Sequence, residues 1–205
     1  KVVGSFFGIA ELTDTLGHPT FITRYRYWRS AHRMYAPFID REGGVWFETN
    51  AALHCFRNGA RSDLGLGNGA FGSRITDVDQ LPDGTMVIGT AGNGVVLLRN
   101  DRIFRRFGRA EGVPGDEVRA AVVRGNALLV ATDAGACSIE DPTGLARIRT
   151  WNELQGLDGL DIKDIDRADS LILLATPSGL YTVPERTLPL QRPAPRIAGI
   201  TAVVN

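Results

Sequence analysis

A short apolar run closing on Ser or Thr returns five times along this chain. The copies are Val2–Ser5, Val45–Thr49, Met86–Thr90, Leu128–Thr132 and Ile172–Thr176. Their closing residues, Ser5, Thr49, Thr90, Thr132 and Thr176, lie 44, 41, 42 and 44 residues apart. A period in this range marks a repeat architecture whose units are single supersecondary motifs. The surroundings keep the same period. Before every run except the first come turn formers: Glu42-Gly43-Gly44, Pro82-Asp83-Gly84, Arg124-Gly125-Asn126 and Ala168-Asp169-Ser170. Turn residues between two apolar runs predict a hairpin.

The strand on the far side of each hairpin reads as Ile75–Gln80, Val118–Val123 and Ile162–Asp166, with Ala36–Asp40 a weaker match. After each run a second tight turn leads into Gly8–Leu12, Leu53–Phe56, Gly94–Leu98, Ala136–Glu140 and Gly179–Val183. A fourth strand follows at Phe21–Tyr25, Ile103–Phe107 and Ala146–Trp151. Each unit thus reads as up to four short antiparallel strands. One such sheet cannot cover both of its own faces. Stacking sheets face to face covers them, and a ring of stacked sheets is a β-propeller. The expected fold is therefore all-β, a β-propeller with five blade units near residues 1–30, 31–72, 73–116, 117–160 and 161–190. The 24 Gly and 10 Pro, set between short apolar runs, fit a turn-rich all-β chain. A β-sandwich or a meandering barrel is the alternative, but neither needs so regular a repeat. The first unit starts at its second strand. In the second, Arg57–Gly72 reads as a degraded outer strand, rich in Gly and polar residues. In the last, the outer strand is only Leu188–Leu190, broken by Pro189. Incomplete end units predict part of a larger ring. A chain that opens on Lys1 and runs at once into a strand predicts an excised or processed piece.

The segment from Ile75 to Val122 resembles the two-component regulator propeller repeat. In that family a blade carries an Asp-x-x-Gly turn, an apolar strand with Trp, and a Gly-Thr ending. Here Asp83-Gly84 and Ile88-Gly89-Thr90 match that core, and Glu111-Gly112-Val113-Pro114 matches the connection to the next blade. Asp40 to Thr49 also matches and keeps the Trp, as Trp46. Gln155 to Leu160 is a looser copy of the connection, and Val87 and Leu129 stand where the family favours Trp. Residues 191–205 would form a linker and the start of a second domain. Within them Arg192 to Asn205 resembles the opening strand of the Ig-like, three-tyrosine domain that follows such propellers. The resemblance implies a periplasmic or extracellular sensor region of an inner-membrane receptor, with two seven-bladed propellers, the Ig-like domain, a membrane span and a kinase or cyclase output. The blades here would close the second propeller. A small ring closed on itself through Ile197–Val204 is the other possibility.

Charge and chemistry narrow the function further. The chain has 23 basic and 23 acidic residues and a pI near 7.0, so no global field attracts nucleic acid. No apolar run approaches the roughly 18 residues of a spanning helix. His18, His32 and His54 share no metal-ligand spacing with Cys or acidic neighbours, so no metal site or cofactor is expected. Gly65 to Gly69 lacks the Lys-Ser/Thr ending and following helix of a phosphate loop. Cys55 and Cys137 fall in the third strands of non-adjacent units, which disfavours a disulfide. No catalytic constellation can be assembled, so any enzymatic output would lie outside these residues.

Propeller ligands occupy a mouth of the central channel, where loops join one blade's outer strand to the next blade's inner strand. Those loops place Arg33, Arg74, Glu117 and Asp161 just before the inner strands, and these are the candidate ligand-binding residues. Trp28, after Arg24, Tyr25, Arg26 and Tyr27, forms an aromatic and basic cluster suited to sugar binding or to packing. Trp46 and Trp151 read as core or inter-blade residues. Three functions are compatible with this pattern: a sensor module, a structural or protein-interaction propeller, and a propeller hydrolase or lyase. The first is preferred. Its partners would be a glycan or other small ligand, the rest of the receptor chain and a second copy in a homodimer.

Overall fold

The structure, a computed structural model, describes residues 2–5, 8–15, 18–25, 34–49, 52–64, 72–151 and 161–184; in the first three stretches only the backbone is described. The described residues form five antiparallel sheets, and the fold is a β-propeller. The first sheet holds β1 (Val2–Ser5), β2 (Gly8–Thr15) and β3 (His18–Tyr25). The second holds β4 (Tyr35–Ile39), β5 (Val45–Thr49), β6 (Ala52–Arg57) and β7 (Ala60–Leu64). The third holds β8 (Ile75–Gln80), β9 (Met86–Thr90), β10 (Val95–Arg99) and β11 (Arg102–Phe107). The fourth holds β12 (Val118–Arg124), β13 (Ala127–Thr132), β14 (Gly135–Glu140) and β15 (Arg147–Trp151). The fifth holds β16 (Asp164–Ala168), β17 (Leu171–Thr176) and β18 (Gly179–Pro184). Strands follow chain order in every sheet, so each blade is a meander.

The repeated Ser/Thr closes β1, β5, β9, β13 and β17, the second strand of each full blade. Its chemistry explains its recurrence in the last three blades. Thr132 Oγ1 donates to Gly135 O at 2.7 Å and accepts from Ala134 N at 3.2 Å, which clamps the turn into the third strand. Thr90 does the same with Gly94 O (2.7 Å) and Asn93 N (2.9 Å), and Thr176 with Gly179 O and Ser178 N (both 3.1 Å). A hydroxyl of this kind satisfies turn groups that the sheet ladder cannot reach. In the second blade Thr49 Oγ1 lies 2.7 Å from His54 Nε2 instead.

Three of the cores among the described residues straddle two blades, as alternation along a strand requires. Val87, Val95 and Leu97 of the third blade pack with Ala121, Val130 and Ile139 of the fourth. Met86, Ile88 and Val96 turn the other way and meet Trp46, Leu53 and Cys55 of the second. Ala120, Leu129 and Trp151 of the fourth blade pack on Ile165, Ile172, Leu174 and Val183 of the fifth. Trp46 and Trp151 are thus inter-blade residues. The thiols of Cys55 and Cys137 are both buried, in the second and fourth blades, and burial pushes Cys137 up to about 12.

The second blade departs from its sequence reading. Ala60–Leu64 is a regular outer strand, although four of its five residues are exposed and most are polar. Asn58 and Gly59, with φ of 51° and 79°, make the tight turn that sends it back along β6. His54 Nδ1, from across the ladder, and Arg61 Nη2, from the same strand, both reach the Asp63 carboxylate at 2.7 Å, so polar contacts hold what apolar packing does not.

Candidate functional site

Two of the four channel-mouth candidates are brought together, through a residue that loop reading passed over. Arg119, the second residue of β12, reaches Glu117 Oε1 at 2.5 Å with Nη1. Its Nε lies 3.4 Å from Asp161 Oδ1 in the next blade. The Lys163 ammonium bonds the other oxygen of Asp161. That hydrogen bond, ahead of the opposing effect of burial, holds the Asp161 carboxyl below its ordinary range. The result is an alternating chain, Glu117, Arg119, Asp161, Lys163, running from the fourth blade to the fifth. All four side chains keep contact with solvent, from 26% for Arg119 to 50% for Lys163. Arg74 is exposed just before β8, and its carbonyl accepts Ala91 N at 2.9 Å. Arg33 and, of the Trp28 cluster, Arg26, Tyr27 and Trp28 lie outside the described residues, while the backbone of Arg24 and Tyr25 ends β3.

The loop before Glu117 is rigidly placed. The Asp116 carbonyl takes the N–H groups of Gly92 (3.0 Å) and Gly94 (2.8 Å) from the previous blade. Arg109–Glu111 forms a 3₁₀ turn in the same connection, where Gly108 N donates to Glu111 Oε2 at 2.7 Å and Arg109 N to Asp116 Oδ1 at 2.9 Å. A β-bridge between Ala91 and Glu117 completes the attachment. These loops therefore combine hydrogen-bonded backbone with solvent-facing charges.

At the opposite ends of the strands, between the second and third blades, lies a polar cavity of about 310 Å³. Asp40 is its buried anchor. Its carboxylate accepts Gly44 N at 2.6 Å, Glu42 N at 3.1 Å and Trp46 Nε1 at 2.6 Å, and also bonds Arg57. Gln80 ties the two blades across the cavity, accepting Arg41 N at 2.9 Å and donating to Glu42 Oε2 at 3.0 Å. The sequence signal for this cluster was present in the Asp40 to Trp46 match, but the match does not reveal that Asp40 receives the indole. His54, between Thr49 and Asp63, has both ring nitrogens within hydrogen-bond distance of a partner. No group of three His, Cys, Asp or Glu among the described residues is placed to hold a metal ion.

No family model matches the chain, and no curated protein matches it either. Solved structures do. The extracellular domain of the hybrid two-component system BT3049 from B. thetaiotaomicron is 16% identical, with a TM-score of 0.67 over 88% of this chain and 25% of that one. The extracellular domain of BT4673 from the same organism is 19% identical, with a TM-score of 0.61 over 73% of this chain and 20% of that one. The chain thus spans a quarter or less of these receptor domains. A catalytically inactive virginiamycin B lyase from Staphylococcus aureus is 13% identical, with a TM-score of 0.66 over 89% of this chain and 61% of that one. At such identities the likeness establishes the propeller fold. No helix among the described residues is long and apolar enough to cross a membrane.

Proposed function

We propose that the chain is part of the extracytoplasmic sensor region of a bacterial two-component-type receptor, anchored in the inner membrane and coupled to a cytoplasmic output domain. Residues 1–190 would supply propeller blades and residues 191–205 the passage into an Ig-like domain. The propeller-repeat motifs and the likeness to two extracellular receptor domains support this reading. The observation that carries it is the charge chain across the fourth and fifth blades. Exposed ion pairs contribute little to stability, about 0–1 kcal/mol each. A ligand can therefore displace them at small cost, and because Arg119 and Asp161 belong to different blades, displacement alters the contact between blades. That is a route from binding to a change in propeller packing. The ligand class that fits solvent-facing carboxylates and guanidinium groups is a glycan or other small polar molecule.

The test is a thermal-shift screen of the chain against neutral and acidic glycans, followed by Arg119→Ala and Asp161→Ala. A ligand of this mouth should raise Tm in the parent by several degrees and in neither variant. The absence of any shift, or equal shifts in the variants, would rule out glycan sensing here.

A further inference from the structure

The inner strand of each blade leaves one edge unpaired, and its outward N–H groups need acceptors. In the third and fourth blades Asp77 and Asp79 of β8 supply them. Each carboxylate uses Oδ1 for its own strand, accepting Val78 N at 2.9 Å and Gln80 N at 2.7 Å. Each then uses Oδ2 for the next blade, accepting Ala121 N at 3.0 Å and Val123 N at 2.7 Å from β12. β12 needs that help because Ala120 and Val122 stand where a carboxylate of its own would be. An Asp-x-Asp pair thus fastens one inner strand to the next.

The pair recurs in the fifth blade. Asp164 and Asp166 of β16 stand opposite Ala175 and Leu173, as Asp77 and Asp79 stand opposite Gly89 and Val87. Their Oδ1 atoms again serve their own strand, taking Ile165 N at 2.9 Å and Arg167 N at 2.7 Å. Their Oδ2 atoms make no hydrogen bond among the described residues, and both residues are exposed. The same face carries Leu171 and Leu180, 37% and 38% exposed. In the fourth blade the counterpart of Leu180 is Ala136, fully buried against the fifth blade.

We propose that this edge of the fifth blade docks the inner strand of a further blade. The occupant is an extended strand with two outward N–H groups two residues apart and no carboxylate beside them, as in β12. Asp164 and Asp166 take the two N–H groups, and Leu171 and Leu180 pack on its blade. The proposal rests on the propeller fold and not on the sensor reading.

Two measurements test it. First, the Asp77→Asn, Asp79→Asn double variant should lower the Tm of the chain by several degrees, whereas Asp164→Asn, Asp166→Asn should leave it within about one degree. An equal loss at Asp164 and Asp166 would show that the edge is already filled within the chain and would overturn the proposal. Second, a cyclised hairpin peptide copying Glu117 to Thr132 should bind the full chain saturably in fluorescence anisotropy. Affinity should fall at least tenfold with the Asp164→Asn, Asp166→Asn chain, and likewise with a peptide N-methylated at Ala121 and Val123. No binding, or binding indifferent to both changes, would also overturn it.

Discussion

Asp77 shows how one carboxylate can serve two blades and be perturbed for it. Burial between the third and fourth blades pushes its pKa from 3.8 up to about 6, against the opposing effect of its bonds from Ala121 N and Val78 N. The folded value lies above the unfolded one. Between about pH 4 and pH 6 the folded chain therefore holds a proton that the unfolded chain has released. Stability from this group is present at low pH and lost as pH rises through about 6. Asp77→Asn cannot titrate. The unfolding free energy of the parent minus that of the variant should accordingly fall by about 1–3 kcal/mol between about pH 4 and pH 7. Denaturant midpoints across that range measure it. A flat difference would mean that the two N–H bonds keep the carboxylate ionised throughout.

Elements are fixed by turn geometry as much as by apolar patterning. Gly94 lies at φ +69°, and a Cβ there would sit 2.1 Å from the Phe107 carbonyl. Gly84 lies at φ +86° with nothing within 4 Å of such a Cβ. Gly84→Ala should thus cost only the left-handed penalty, about 1–2 kcal/mol. Gly94→Ala should cost about 3 kcal/mol or more, because the third and fourth strands of that blade must part. Equal losses in urea unfolding would contradict this account. These elements were largely legible in the sequence, since the Thr that closes the second strand in the last three blades also organises the turn after it. The outer strand Ala60–Leu64 was not, because its pairing comes from the Asn58-Gly59 turn and the Asp63 bonds and leaves no apolar alternation to read. The charge chain was half legible. Loop position placed Glu117 and Asp161 just before the inner strands, but Arg119, which links them, lies inside β12, where a charged residue reads as the solvent face of a strand. The Asp-x-Asp fastening was hidden for a related reason. A period-2 pattern shows which way a side chain points, not which blade its far oxygen meets.

Across the whole molecule, stability should follow how many faces of a blade are covered. In a stacked array each unit contributes its own stability plus the interfaces with its neighbours. The third and fourth blades are covered on both faces, by the cores they share with the second and fifth blades and with each other. The fifth blade, among the described residues, shares a core only with the fourth, through Ile165, Ile172, Leu174 and Val183. Its other face presents Leu171, Leu180 and the Asp164 and Asp166 carboxylates to solvent. One missing interface removes both apolar burial and two inter-blade hydrogen bonds of the kind seen between β8 and β12. Sub-global opening of β16–β18 should therefore occur at lower free energy than opening of β8–β15. Native-state hydrogen exchange reads this directly. Amides of β9 and β13 should exchange at least tenfold more slowly than those of β17, although all three are second strands of their blades. Saturation with a hairpin that fills the β16 edge should slow β17 and leave β9 unchanged. If β17 is already as protected as β13, the outer face of the fifth blade is covered in solution.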